Sequence, residues 1–150
     1  EYKAVNSEIN FFDDAFIPDV YLPSPTERLK IYRRINEITK ISDLFKLKIE
    51  LIDRCGKYIN EVDALFSNAE LLILSNAIGI SKISSHEDKT SIQFNTKLDD
   101  DILNKILNMI RSNSKIYQME PSGKLNMFIE DSKNSNQRRL FVRNFINEIS

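Results

Sequence analysis

The chain has 150 residues, of which 41% are hydrophobic and 29% charged, a balance that suits one globular domain with room for a sizeable core. A net charge of −1 excludes a surface given over wholly to nucleic acid, though it leaves room for a local basic patch. The single Cys55 excludes an internal disulfide and suits a reducing cytoplasm, and no apolar run is long enough for a membrane span or a signal peptide.

The chain opens at Glu1 rather than Met, as expected of a piece of something longer. Residues 1–15 are weakly patterned and read as a linker or N-terminal extension. A short strand is predicted near Ile9–Phe12, where Ile9 and Phe11 alternate with polar neighbours. Phe16-Ile-Pro-Asp-Val-Tyr-Leu-Pro follows as an extended connector, because Pro18 and Pro23 each disfavour helix at the residue before them. Ser24-Pro-Thr-Glu27 then has the form of a capping box, with Pro25 at the first helical position. The helix it starts is predicted to run to about Ile38 and to bury Leu29, Ile31, Tyr32, Ile35 and Ile38. Arg28, Lys30, Arg33 and Arg34 make it basic. Such a cluster can touch phosphates, but the plainer reading is a solvated face or pairing with acidic neighbours.

A second helix is predicted over Asp43–Cys55, with Ser42 as N-cap and Gly56 as its stop. At about 100° per residue, Leu44, Phe45, Leu47, Ile49, Leu51, Ile52 and Cys55 fall on one broad apolar arc, with Lys48 as an intruder. Asp43, Lys46, Glu50, Asp53 and Arg54 gather in a polar stripe on the other side. From chemistry alone that stripe is a solvated face, in which Lys46–Glu50 and Glu50–Arg54 stand four apart and can pair. A third helix is predicted from a cap at Asn60 to a stop at Gly79. Val62, Leu65, Phe66, Ala69, Leu72 and Ile73 hold helical spacing, and Leu71, Leu74 and Ile78 add apolar surface beyond one face, so this helix should be central.

The second half changes period. Ile80–Ser84 and Ser91–Phe94 read as strands joined by a polar turn around His86–Lys89. Asp99–Asp101 precede a helix striped by Ile102, Leu103, Ile106, Leu107 and Ile110, and acidic residues at its start suit the helix dipole. Lys115–Glu120 and Lys124–Ile129 form a second strand pair around Pro121-Ser-Gly123. Ser132–Asn136 is a polar loop, and a last helix carries Leu140, Phe141, Val142, Phe145, Ile146 and Ile149 inward. Helices followed by antiparallel strand pairs and further helices predict an α+β fold in a single compact domain.

No reactive constellation emerges. His86, the only histidine, falls in a turn beside Glu87 and Asp88 and reads as a surface residue. Cys55 falls on the apolar arc and reads as a small core residue. One His and one Cys cannot furnish the usual zinc ligand set, the three glycines form no P-loop, and the spacing of Asp99–Asp101 is not an EF-hand loop. The expectation is a non-enzymatic module without a cofactor or a metal.

The order of the pieces resembles the C-terminal domain of bacterial transcription-repair coupling factor. The motifs that carry the likeness are Phe16-Ile-Pro-Asp-Val-Tyr-Leu-Pro, Arg28-Leu-x-x-Tyr32-x-Arg34, Glu50-Leu-Ile-Asp-Arg-Cys-Gly56 and Ala69-Glu-Leu running on to Ile78-Gly-Ile80. They cover about Phe16 to Ile80, with a likeness of layout from there to Ser150, so residues 16–150 are taken as the domain. The chain has Cys55 where the family usually has Phe, Ile59-Asn60 where it has a Pro in the turn, and Leu72 and Leu74 where polar residues are common.

The resemblance implies a parent protein that translocates on DNA with ATP, displaces stalled RNA polymerase and recruits the repair protein UvrA. It implies that this domain is a non-catalytic, cytoplasmic regulatory module that folds back on the UvrA-binding module of the same chain and masks it. It further implies that Glu50, Asp53 and Arg54 make that contact. UvrA and RNA polymerase are then indirect partners, and no direct contact with DNA or membrane is expected. The alternative is a nucleic-acid- or polymerase-binding module using Arg28, Lys30, Arg33 and Arg34, with Arg138, Arg139 and Arg143.

Overall fold

Ser24 starts the first helix as its spacing predicts: in the computed structural model its hydroxyl accepts from the Glu27 amide at 3.2 Å, and Pro25 occupies the first turn. The structure describes residues 7–95, 98–129 and 134–150. Among these, five helices and a five-stranded mixed sheet give the predicted α+β architecture. The order is β1 (Glu8–Asn10), α1 (Pro25–Glu37), α2 (Ile41–Cys55), α3 (Asn60–Ile78), β2 (Ile80–His86), β3 (Lys89–Phe94), α4 (Asp100–Ser112), β4 (Tyr117–Met119), β5 (Leu125–Phe128) and α5 (Ser135–Ile149). Contacts divide the chain into a helical unit, Asp14–Ile73, and a second unit made of Glu1–Asp13 and Leu74–Ser150, so the division falls inside α3.

The helical unit holds α1, α2 and most of α3 around one core. Ile17, Tyr21 and Leu22 from the Pro18–Pro23 connector join Ile31, Leu44, Leu47, Leu51, Val62, Phe66 and Ala69 there. The connector is tied down by polar bonds as well: the Ile17 amide donates to the Tyr32 hydroxyl at 2.7 Å, and the Tyr21 hydroxyl donates to the Gly56 carbonyl at 2.8 Å. Val62, Phe66 and Ala69 lie on one face of α3, while Ala64 and Leu71 are buried on the opposite face, as expected of a central helix. Two details of the helix starts differ from the sequence reading. Helix α2 begins at Ile41 after Lys40, so Ser42 lies inside its first turn and makes no cap, and α3 takes in Asn60 itself. Helix α1 buries Ile31 but leaves Leu29 exposed, because two positions along a helix turn a side chain to the far side.

In the second unit the sheet order is β1-β2-β3-β5-β4, with β1 parallel to β2 and every other pair antiparallel. Ile80, Ile83, Ile92, Leu125 and Met127 are its buried apolar strand residues, and Val142, Phe145, Ile146 and Ile149 of α5 are buried too. Leu140, expected inward, is exposed, and its place on the inner side is taken by Arg138 and Arg139. Of the six leading residues 1–6 nothing is described, but Ser7 donates from its hydroxyl to the Ile80 carbonyl at 2.6 Å, and Glu8–Asn10 add a strand to the sheet. The predicted loop Ser132–Asn136 is described only from Asn134, which caps α5 in a full capping box with Gln137.

Candidate functional site

Helix α2 carries the three charged residues singled out from the sequence, and its neighbours settle what each one does locally. Both Nη atoms of Arg34 donate to the Glu50 carboxylate, one of them at 3.3 Å. One turn further along α2, Arg54 donates to Glu27, which also meets Lys30 at 3.2 Å. The later residue of α1 pairs with the earlier residue of α2 and the reverse, so the two helices run antiparallel with two ionic rungs across their seam. The pairs within α2 expected between Lys46, Glu50 and Arg54 are replaced by these rungs, and Lys46 instead stands 4.0 Å from Asp43. A bidentate arginine–carboxylate fork outbids a flexible lysine one turn away.

The electrostatics follow the geometry. The hydrogen bond from Arg34 holds the Glu50 carboxyl below its ordinary range against a small opposing effect of burial, and the Arg34 guanidinium is correspondingly raised. Glu27 is lowered by its bonds from Arg54 and then Lys30. Asp53 is the exception in the triplet. It points away from the seam, is exposed, and has no ion-pair or hydrogen-bond partner among the described residues. Glu50 and Arg54 therefore fasten α2 to α1, while Asp53 is left for something else. Each carboxylate has lone pairs to spare, so Glu50 can accept a further donor at its exposed edge.

The apolar arc of α2 is only partly covered. Leu44, Leu47 and Leu51 are buried and Cys55 is half-buried against the same core, but Phe45, Ile49 and Ile52 remain 45%, 60% and 40% exposed. Lys48, the intruder in that arc, lies over the Tyr58 ring at 5.3 Å and reaches Asp63 at 3.9 Å, so its charge is met where the arc goes under cover. Sequence reasoning named Glu27 as part of a capping box and Arg34 as part of a basic cluster, but did not pair them with Arg54 and Glu50. The signal was present, since they stand seven apart on one face of α1 with charges opposite to those of Arg54 and Glu50.

The basic residues named for the nucleic-acid alternative are largely committed. Arg28 donates to the Leu22 and Pro23 carbonyls at 2.7 and 2.9 Å, Lys30 meets Glu27, and Arg34 meets Glu50. Arg139, at 2% exposure, is clamped by Asp13 through both Nη atoms, one at 2.9 Å, and lies 4.7 Å over the Phe11 ring. Arg138 is buried and donates to the Ser85 hydroxyl at 2.8 Å. His86 is exposed, as expected, but it is the last residue of β2 rather than part of the turn, and the Phe12 ring stands edge-on to it at 5.2 Å.

The sequence profile described as the TRCF domain matches residues 13–104. The chain is 28% identical over 148 residues to the transcription-repair-coupling factor of Rickettsia prowazekii (strain Madrid E), an alignment covering 99% of this chain and 12% of that protein. It is 26% identical over 145 residues to the same factor of Escherichia coli (strain K12), covering 95% of this chain and 12% of that protein. With the factor of Bacillus subtilis (strain 168) it is 30% identical over 82 residues, covering 55% of this chain and 7% of that protein. The chain thus spans no more than 12% of the length of these relatives. A crystal structure of the C-terminal domain of transcription-repair coupling factor superposes with a TM-score of 0.78 at 21% identity, over 96% of this chain and 91% of that one, and so shares its fold.

Proposed function

The chain belongs to the TRCF-domain family of transcription-repair coupling factors, and from that premise we propose that it is a non-catalytic regulatory module of a cytoplasmic, ATP-driven DNA translocase. In this reading it folds back on the UvrA-binding module of its parent and keeps that module masked. Residues 16–150 are taken as the module, and of the leading residues those from Ser7 on are built into it through β1 and the Asp13–Arg139 pair. Glu50, Asp53 and Arg54 make the contact.

The observation that carries the reading is the charged outer edge of α2. Glu50 and Arg54 are posed by their rungs to Arg34 and Glu27 while keeping exposed edges, and Asp53 stands beside them with its carboxylate unused. Pre-posed charges favour a defined partner geometry, since little side-chain freedom is left to lose on docking. The commitment of Arg28, Arg34, Arg138 and Arg139 within the chain counts against phosphate binding.

The test is charge reversal in the full-length parent, Glu50→Arg with Asp53→Arg. Opening a masked state raises apparent affinity in proportion to the competent population, so UvrA is expected to bind the reversed protein more tightly. Unchanged UvrA affinity in a reversed protein that still folds would refute the masking role. A duplex titration of the isolated chain is expected to show no salt-sensitive binding at micromolar protein.

A further inference from the structure

We infer that the cavity at the end of β3, between the start of α4 and the β4–β5 turn, is a binding site for a short extended peptide. The peptide continues the ladder of β3 with its own main chain, sets one aliphatic side chain into the cavity and turns a lysine or arginine toward Asp100. The inference is independent of the masking reading, since every residue it uses belongs to the unit that holds the sheet.

The site begins with a ladder that stops one pair short. Ile129 donates to the Asp88 carbonyl at 2.9 Å, and Asn95, at the far end of β3, donates to the Gly79 carbonyl at 2.6 Å. Main-chain groups of successive strand residues point to alternate sides, so even-numbered residues from Asp88 to Phe94 face β5 and odd-numbered ones face β2. Pairing with β5 ends at Ile92 and Leu125, and the next pair would be Phe94 with Gly123. Gly123 turns away instead: it stands at φ 91° and gives its amide to the Glu120 carbonyl at 2.9 Å. The amide and carbonyl of Phe94 are left facing β5 with no partner among the described residues. Unpaired main-chain groups of this kind are the template on which an added strand binds.

The space beside them fits such a guest. The cavity measures about 590 Å³, within the range of ordinary ligand pockets. Phe94, Leu98, Leu103 and Met119, all half-buried, supply an apolar wall, and Asn95 and Ser122 bring amide and hydroxyl groups. That mixture suits a peptide, whose apolar side chains alternate with polar main-chain groups. A guest residue paired with Phe94 shares its face, so its side chain enters the cavity, and the residue two places away emerges on the same face. Charge decides what that second residue is. Lys124 is met by Glu120 at 3.6 Å, whereas Asp100 is exposed with no ion pair among the described residues. An aliphatic residue and a cation, two places apart, therefore complement the site. The chain's own extra strand, β1, is already spent on the opposite edge of the sheet, which leaves the place to a segment of a separate polypeptide.

The experiment follows the amide spectrum of the isotope-labelled chain during titration with acetyl-Ser-Leu-Ser-Lys-amide. Saturable shifts of the Phe94, Asn95, Gly123 and Lys124 amides are expected, with half-saturation at roughly 0.3 mM, a weak affinity that suits so small a contact. The same peptide methylated on the leucine nitrogen keeps every side chain but loses a main-chain donor, and it is expected to bind about tenfold more weakly. Asp100→Asn is expected to weaken binding of the unmethylated peptide about threefold, and the same spectrum reports that the variant is folded. Absence of saturable shifts at millimolar peptide would overturn the site. Equal binding of the methylated peptide, or shifts confined to Asp99–Asp101 that salt removes, would reduce the effect to charge attraction at the start of α4 and overturn it as well. Shifts of the same amides on raising the protein concentration alone would give the space to a second copy and overturn the separate partner.

Discussion

Gly56 stands at φ 91° and ψ −170°, a backbone conformation that a side chain makes costly, and its amide closes α2 onto the Ile52 carbonyl at 2.9 Å. A Cβ added there would meet nothing within 4 Å, so the penalty of Gly56→Ala is conformational rather than steric. It is expected to cost about 1–3 kcal/mol in urea unfolding. Ser24→Ala, which frees the Glu27 amide, is expected to cost about 1 kcal/mol in the same assay. Both residues were legible from sequence because each meets a local requirement, a left-handed backbone at one helix end and an orphan amide at another. Ser42 and Asn60 satisfied the same local rule and are not caps. Lys40 and Ile59 precede the helices instead, and their carbonyls accept the first helical bonds, from Leu44 at 3.2 Å and from Asp63 at 3.0 Å. Cap propensity names residue types that fit, and only the path of the entering chain decides which candidate is used.

At the scale of elements, the seam between α1 and α2 combines a buried row with a solvated one. Leu47→Ala removes a side chain from the core of the helical unit and is expected to cost about 2–5 kcal/mol. The Arg34–Glu50 rung is half-exposed on both sides, so a double-mutant cycle to alanine is expected to show a coupling of about 0.2–1 kcal/mol that fades in high salt. A coupling above about 2 kcal/mol would show that the rung is shielded from water to a degree its exposure contradicts. The helices themselves, and Leu44, Leu47 and Leu51 as their inward residues, could be read from spacing alone. Which part of the wide apolar arc stays uncovered could not, because a wheel gives the breadth of an arc and not the breadth of its neighbours. The same applies to the rungs: the matching charges on α1 and α2 are visible in sequence, but their register depends on the turn between the helices. Likewise, β1 reads as a strand, while its parallel pairing with β2 is fixed by contacts more than seventy positions away in the chain.

For the molecule as a whole, titration sets the limits of stability at both ends of the pH scale. Glu27, Glu50 and Glu120 are held below their ordinary value of 4.5 by hydrogen bonds from Arg54, Arg34 and Asn126 respectively. A lowered carboxyl stabilises the fold above its unfolded value, and that contribution is lost as pH falls through the folded value. Stability measured by denaturant is therefore expected to decline below about pH 4.5. Tyr21, Tyr58 and Tyr117 are raised above their ordinary value of 10.0, in each case chiefly by burial. Their contribution is fully present below pH 10.0 and is lost as pH rises toward the folded values, so stability is expected to fall again on the alkaline side. A profile that stays flat above pH 10.0 would mean that these phenols are open to water.

The clamp between Arg139 and Asp13 spans 126 positions, and both residues belong to the unit assembled from the two ends of the chain. On a ribosome moving at about 5–20 residues per second, Asp13 waits roughly 6–25 seconds for its arginine to be made. Residues 14–73 need no such wait, because every member of their core is synthesised in one uninterrupted stretch. Birth order thus separates the two units of this chain: the helices that carry the charged edge are complete early, while the unit around the sheet lacks its clamp until α5 is made. Until then Phe11 lacks the guanidinium that lies over its ring, and the finished clamp completes its cover.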